Sequence, residues 1–281
     1  MPDLDLIFAA LAENPRLHAP NTSVYKLLKG CARAEIEKIY RDADSTPRPF
    51  GPFGPVSMPY TRMGAIDSLD LFGLDELIIF AFYQANRGRY RKVLDIGANI
   101  GLHSVILGKC GFAVRSYEPD PRHFALLKAN LDANQVSSVE PFPAAISVRD
   151  GKADFVRVLG NTTGSHLAGA KDSYGEREYF PVDVKAVSPL FAWADLAKID
   201  AEGHERDILL SATREDIAHL DIIVEIGSPA NAAAVFAHFQ KLGVGLFPQK
   251  IGWRMARSQD DIPVSHRDGS LFISAKAEMP W

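Results

Sequence analysis

Apolar residues at Leu4, Ile7, Phe8 and Leu11, and again at Ala32, Ile36 and Ile39, follow the three- and four-residue steps of helices that bury one face, so residues 1–46 are expected to be helical. The pattern then breaks. TPRPFGPFGPVSMPY, residues 46–60, holds five prolines and two glycines, which fix φ or remove donors too often for a regular element and suggest an extended connector or a lid. Helical spacing returns over 69–85. From Val93 onward short apolar runs alternate with helix-like segments, the signature of repeated βα units. Strands are expected at 92–96, 113–118, 138–142, 196–200, 221–226, 244–247 and 270–275, with helices at 100–110, 121–134, 204–211 and 230–242. Residues 248–269 are polar, contain the turn HRDGS and show no helix-length pattern, so the last two strands should form an antiparallel hairpin at one sheet edge. The expected fold class is α/β: a doubly wound, Rossmann-like, mostly parallel sheet with that hairpin edge and an N-terminal helical extension. Residues 1–60 form the extension and its proline-rich connector, and 61–281 the main domain.

Composition narrows the partners. With 281 residues, 47% hydrophobic and 23% charged, the chain is ordinary for a globular protein, and a net charge of -4 gives no general pull towards nucleic acid or an anionic membrane. The two cysteines, Cys31 and Cys110, lie far apart, which indicates neither a disulfide framework nor a cysteine-rich zinc site and suits a reducing cytosol. Asp3 and Asp5 stand where a secretory signal would carry lysine or arginine, and no apolar run reaches the roughly 18 to 20 residues needed to cross a bilayer. A cytoplasmic protein that binds a small molecule, with no membrane span and no nucleic-acid partner, is the expectation.

The run KVLDIGANIGLHSVIL, residues 92–107, ends one expected strand and opens a helix, with Gly97 and Gly101 astride the junction. Ligands of open α/β sheets bind at such strand ends, beside helical N–H groups. A dinucleotide loop would read G-x-G-x-x-G, but Asn99 stands at the middle glycine and His103 at the third, leaving D-x-G-x-x-x-G from Asp95, Gly97 and Gly101. No lysine followed by serine or threonine makes it a triphosphate loop. An acid ahead of the first glycine suits a ligand end carrying a positive amino group, and the loop amides can meet a carboxylate; the amino-acid end of S-adenosylmethionine has both. The second strand ends in Glu118, 17 residues after Gly101, where a carboxylate can accept hydrogen bonds from both hydroxyls of a ribose. NAD enzymes use an acid at the same place, so Glu118 supports a ribose without choosing between the two cofactors.

LDIGANIG, YEPDP and KIDAEGHE, in this order, resemble the motifs of the FkbM-type S-adenosylmethionine-dependent methyltransferases, a likeness that covers about residues 70–275. FGLDE, residues 72–76, is similar to the family segment that precedes the glycine loop and ends in a glutamate near the cofactor. GNTTGSHL, residues 160–167, is similar to the family's Asn/Gly/Ser loop beside the active site. The resemblance implies a Rossmann-like methyltransferase domain whose cofactor contacts are Glu76, then Asp95, Gly97, Ala98, Asn99 and Gly101 of the glycine loop. Glu118, Pro119, Ser165 and Asp200 complete the set. It does not call for a metal. After the fifth strand the family often places a histidine following Glu-Ile, whereas this chain has Gly227 in EIGSP, and no role is carried to that position. Residues 1–60 have no assignable counterpart.

Methyl transfer from a sulfonium is an in-line displacement in which the protein positions the acceptor and removes its proton where the acceptor is a neutral hydroxyl. KIDAEGHERDIL puts Asp200 and Glu202 at the end of the fourth strand and His204 at the start of the next helix, on the ligand edge. His204 is the first candidate for the base, since imidazoles titrate near neutral pH and a neighbouring carboxylate can orient one. His166, on a stretch where the strand pattern lapses, is the second. Asp200, Glu202 and Glu225 are an alternative oxygen set for Mg²⁺ or Ca²⁺, while Asp195, Lys198 and Asp221 read as polar strand ends. The reading is an O-methyltransferase acting on a hydroxyl of a small metabolite, lipid or sugar, with the proline-rich stretch and 248–269 covering the acceptor. Its rivals are an NAD-dependent oxidoreductase and a non-catalytic binding module.

Overall fold

In the computed structural model, which describes residues 3–170 and 175–281, the chain opens with two capped helices. Asp3 accepts from the Leu6 amide to start α1 (Leu4–Glu13), and Thr22 accepts from the Tyr25 amide to start α2 (Ser23–Tyr40). Their apolar faces are buried as the spacing predicts. The proline-rich stretch follows as two short antiparallel strands, β1 (Arg48–Pro49) and β2 (Pro55–Val56). It packs as core. Phe50 and Phe53 set their rings edge-on to Phe8, with centroids 5.6 and 5.2 Å away, and Phe50 also meets Phe72 and Phe80. Ser57 and Asn134 exchange hydrogen bonds of 2.9 and 2.7 Å. Helix α3 (Leu74–Ala85) then leads to the main sheet.

That sheet alternates with helices: β3 (Lys92–Ile96), α4 (Leu102–Lys109), β4 (Ala113–Tyr117), α5 (Pro121–Ala133) and β5 (Val139–Phe142). Residues 144–186, where the apolar spacing predicted no strand, supply β6 (Ala144–Ser147), β7 (Gly151–Val158), β8 (His166–Leu167) and β9 (Arg177–Ala186). The alternation resumes with α6 (Ser188–Trp193), β10 (Leu196–Ile199), α7 (Glu205–Leu210), α8 (Arg214–Ile217), β11 (Asp221–Val224), α9 (Pro229–Leu242), β12 (Gly245–Pro248) and β13 (Leu271–Ser274). The seven-stranded order is β12-β13-β11-β10-β3-β4-β5. β11, β10, β3, β4 and β5 run parallel, and β13 is antiparallel to both β11 and β12. The expected hairpin edge is present, with its last strand inserted beside β11.

Period-two alternation divides the sheet between two cores. Val93, Val114, Leu196 and Ile223 join α1 to α5 on one face, so the N-terminal helices share a core with the sheet. Leu94, Ile96, Ala197, Ile199 and Val224 join α6, α7 and α9 on the other. The chain leaves β3 towards β5 and later returns to β10 on the other side of β3, which makes the β3–β10 junction the topological switch point where ligands of such sheets bind. Asn134 ends α5 at the opposite end of the strands. The proline-rich stretch bonded to it therefore lies away from that junction, and the expectation that it covers an acceptor is corrected.

The second sheet has the order β6-β9-β7-β8 and a small core of Ala145, Phe155, Leu167, Val182 and Val184. A buried ion pair helps to fasten it to the first. Arg157 on β7 places both Nε and Nη2 at 2.6 Å from the Asp120 carboxylate, with Glu178 on a third nitrogen. Arg157 and Asp120 are both buried. Asp120 is also the N-cap of α5. Burial favours its neutral form, but the Arg157 fork and the backbone donor hold the carboxyl below its usual range. Arg157→Ala is expected to lower stability by about 3–5 kcal/mol, because a buried carboxylate is left without its partner. Thermal unfolding checks this, and Arg157→Lys should recover only part of the loss, since an ammonium cannot make the fork.

Candidate active site

The strand ends at the switch point enclose an inner cavity of about 190 Å³. The main sheet contributes Gly97 and Asn99 after β3, Glu118 and Pro119 after β4, Asp200 and Glu202 after β10, and Glu225 after β11. Glu76 enters from α3. β6, β7 and β8 supply Ala144 to Ile146, Phe155 and Leu167 as an apolar wall, and the loop before β8 adds Thr162, Thr163 and Ser165. A larger, mostly polar cleft lies outside, bordered by Asn161, Arg206, Asp207, Ser228, Asn231 and His266 among others. Asp200, Glu202, His204 and Glu225 line both spaces and form the wall between them.

The glycine loop is shaped by close backbone approach. Gly97 has φ +77, and a Cβ there would overlap the Asp200 carbonyl oxygen and lie 2.8 Å from its carbon. Gly97 and Ala98 donate their amides to the Tyr117 carbonyl, Asn99 donates to Glu118 Oε2 at 2.8 Å, and Gly101 donates to the Ala98 carbonyl. These four amides are engaged within the protein. The Asn99 side-chain oxygen is buried without a hydrogen-bond partner among the described residues, a state that a donor on a ligand would relieve. Asn99 and Glu202 both take positive φ, 54° and 51°, and such strain in non-glycine residues gathers at functional sites.

Glu118 is held from both sides. Oε2 accepts from the Asn99 amide and Oε1 from the Asp120 amide, each at 2.8 Å. Each carboxylate oxygen has two lone pairs, so one on each remains for a pair of hydroxyls. Burial pushes the carboxyl up to about 8, against the pull of those two amides.

Beneath the loop, Lys198 is not a plain strand end. It stands in register with Asp95, 3.8 Å from Asp95 Oδ1 and 3.3 Å from Asp200 Oδ2. Burial works against its charge, but Asp200, Asp95 and Glu76 outweigh it and hold the ammonium above the usual lysine range. Asp95 takes a 2.6 Å bond from Ser104 on its other oxygen. Glu76 Oε2 lies 2.7 Å from His103 Nε2, and Tyr83 closes the chain at His103 Nδ1. Burial alone would raise Glu76; the imidazole and Lys198 turn the shift downward. Asp195 accepts the Arg91 and Lys92 amides, and Asp221 accepts from Tyr90 and Lys276.

Seven of the expected cofactor residues, Glu76, Gly97, Asn99, Glu118, Pro119, Ser165 and Asp200, border the inner cavity, while Asp95, Ala98 and Gly101 sit behind it. His204 lies with Nε2 at 2.8 Å from Ser147 Oγ and Nδ1 at 4.0 Å from Asp207 Oδ2. His166 borders neither space. It is 1% exposed, pairs with Val156 across β8 and β7, and places Nδ1 at 2.9 Å from the Gly164 carbonyl. The catalytic expectation for His166 is corrected on that ground. Of 248–269, only His266 borders the outer cleft. Sequence reasoning passed over His123 in the first turn of α5, whose Nε2 lies 3.0 Å from Thr162 Oγ1, and Ser147 on β6; neither carries a motif, and only the second sheet brings Ser147 to His204. Among the described residues no group of three or more His, Cys, Asp or Glu is spaced to hold a metal ion. No helix among them is long and apolar enough to cross a membrane.

A family model described as the Methyltransferase FkbM domain matches residues 95–243. No curated protein matches the chain. Among solved structures, the chain is similar to a precorrin-6y C5,15-methyltransferase from Geobacter metallireducens at 12% identity, over 59% of this chain and 70% of that one, with a TM-score of 0.35. It is similar to a SAM-dependent methyltransferase from Agrobacterium tumefaciens at 10% identity, over 72% and 63% of the two chains, with a TM-score of 0.40. A TehB-like SAM-dependent methyltransferase from Corynebacterium glutamicum gives 14% identity, 69% and 88% coverage and a TM-score of 0.33.

Proposed function

The chain belongs to the FkbM methyltransferase family, whose cofactor is S-adenosylmethionine, and from that premise we propose that it methylates a hydroxyl of a small metabolite, lipid or sugar bound in the outer cleft. The carrying observation is the shared wall: Asp200, Glu202, His204 and Glu225 face the inner cavity on one side and the cleft on the other. When bound, the cofactor supplies an electrophilic methyl on a sulfonium. Residues 61–281 make up the catalytic unit in this reading. Two features suit the cofactor: the unpartnered Asn99 oxygen, and the two free lone pairs of Glu118 for a ribose. His204 takes the acceptor's proton, and Asp200 and Glu202 set the position of cofactor and acceptor across the wall. The test is incubation with isotopically labelled S-adenosylmethionine and metabolite fractions, followed by mass analysis. A product heavier by one methylene supports the reading, and cofactor binding without transfer to any fraction favours a binding module instead.

Glu118 gives the cofactor site a pH signature. Only the ionised carboxylate offers both oxygens as acceptors, and in the free protein that form is depleted below about 8. Binding therefore drives off a proton, so affinity should rise with pH up to about 8 and level off above it, by as much as about tenfold per unit on the rising side. Calorimetric titration across this range checks the slope. Glu118→Gln should flatten that contribution, and Glu118→Ala should weaken binding by about 1–3 kcal/mol through loss of charge-assisted bonds.

A further inference from the structure

Glu225 follows β11 directly, and the register of Ile199 with Val224 sets it beside Asp200. Among the described residues nothing hydrogen-bonds to its carboxyl. Its charged surroundings come from several elements. Asp200 and Lys198 belong to β10 and the turn after it, and Glu76 on α3 lines the same small cavity as Glu225; Asp75, bonded to Tyr25 and Gln249, adds a weaker negative charge. His103 on α4 lies behind Glu76, and Asp95 on β3 lies behind Lys198. Lys198 is the one lysine in this set, and two carboxylates already share it. A second negative charge beside Asp200 is therefore poorly compensated, which favours the neutral acid of Glu225.

We propose that Glu225 is the residue by which the site distinguishes positively charged S-adenosylmethionine from its neutral-sulfur product S-adenosylhomocysteine, giving up its proton to solvent when the sulfonium is bound and regaining it once the methyl has gone. The inference rests on the cofactor reading above. The two molecules share adenine, ribose, ammonium and carboxylate, and they differ by one methyl and one positive charge on sulfur. With the ribose at Glu118 beyond β4, the amino-acid half lies towards β3, β10 and β11, where Glu225 is. Burial and the nearby Asp200 and Glu76 charges hold the free carboxyl well above its usual range, and Lys198 only partly opposes them. A sulfonium supplies the compensation that Lys198 lacks. The ionised carboxylate attracts the charged cofactor and not the product, and the cost of releasing its proton falls as pH rises, so discrimination between them grows with pH.

Calorimetry of both ligands at pH 7, in phosphate and in Tris, counts the protons released from the difference in buffer ionisation heat. Glu118 contributes equally to both titrations because both ligands carry the ribose. The expected result is that S-adenosylmethionine releases more protons than S-adenosylhomocysteine, by as much as about one, and that Glu225→Gln removes the difference while still binding the product. Glutamine has the shape of the neutral acid, and thermal unfolding reports whether that variant folds. Infrared difference spectra of the unmutated protein give an independent reading: the carboxylic C=O band of Glu118 should be lost with both ligands, and a second such band should disappear with S-adenosylmethionine and persist with the product. Equal proton release by the two ligands, or a difference that survives in Glu225→Gln, would overturn the role of Glu225 and leave the cofactor site standing. Failure of both ligands to bind would overturn the cofactor site and the inference with it.

Discussion

Gly97→Ala is expected to abolish cofactor binding and to cost the fold about 3 kcal/mol or more, an effect far beyond that of an ordinary glycine substitution. Two penalties meet there. The backbone sits at φ +77, where an L-residue is strained, and the new Cβ would run into the Asp200 carbonyl, which is main chain. That carbonyl cannot turn aside cheaply, because the Asp200 amide is bonded to the Ile96 carbonyl at 3.0 Å and holds the turn against β3. Relief requires β3 and β10 to part at their C-terminal ends, which opens the crevice and displaces Asp200 from the wall. Gly111 is the control: its φ is +87 but a Cβ there meets nothing within 4 Å, so Gly111→Ala should show only the conformational cost of about 1 kcal/mol. Thermal unfolding and calorimetry of the two variants separate the terms. A Gly97→Ala protein that binds S-adenosylmethionine normally would mean that the β3–β10 junction is not the pocket.

The main sheet was legible because its strands are buried on both faces and bounded by turn residues. Lys92–Ile96 falls at its expected bounds, and the other expected strands differ from those observed by one or two residues at an end. The second sheet was not. Arg177–Ala186 alternates exposed and buried residues over much of its length, yet Pro181 inside it demotes a strand reading, and β6 and β8 are too short to show a period. His166 was consequently taken for a loop residue. The same gap hid the apolar wall, Ser147 and the Arg157 fork, since each reaches the site only through a sheet whose pairings are long-range. The proline-rich stretch failed for a different reason: prolines report what a segment cannot do, while the burial of Phe50 and Phe53 depends on α1, which no local pattern links to them.

His204→Ala should lower turnover about 10² to 10⁴-fold while leaving cofactor affinity nearly unchanged, the signature of a group that acts on the acceptor's proton. The orientation of the ring supports this. Nε2 lies within hydrogen-bond distance of Ser147 Oγ, and the tautomer that donates there leaves Nδ1 as the acceptor, with Asp207 4.0 Å away to stabilise the charge once the proton is taken. Ser147→Ala should then cost activity by freeing the ring, by less than removal of the ring itself. If a metal activated the hydroxyl instead, turnover would vanish on chelation and return with added Mg²⁺, and His204→Ala would be tolerated. His166→Ala serves as the structural contrast, because a buried imidazole bonded to the Gly164 carbonyl should affect unfolding temperature more than turnover. Near-normal turnover in His204→Ala, with no sensitivity to chelators, would eliminate both the base and the metal and leave catalysis to the positioning of cofactor and acceptor across the Asp200–Glu225 wall.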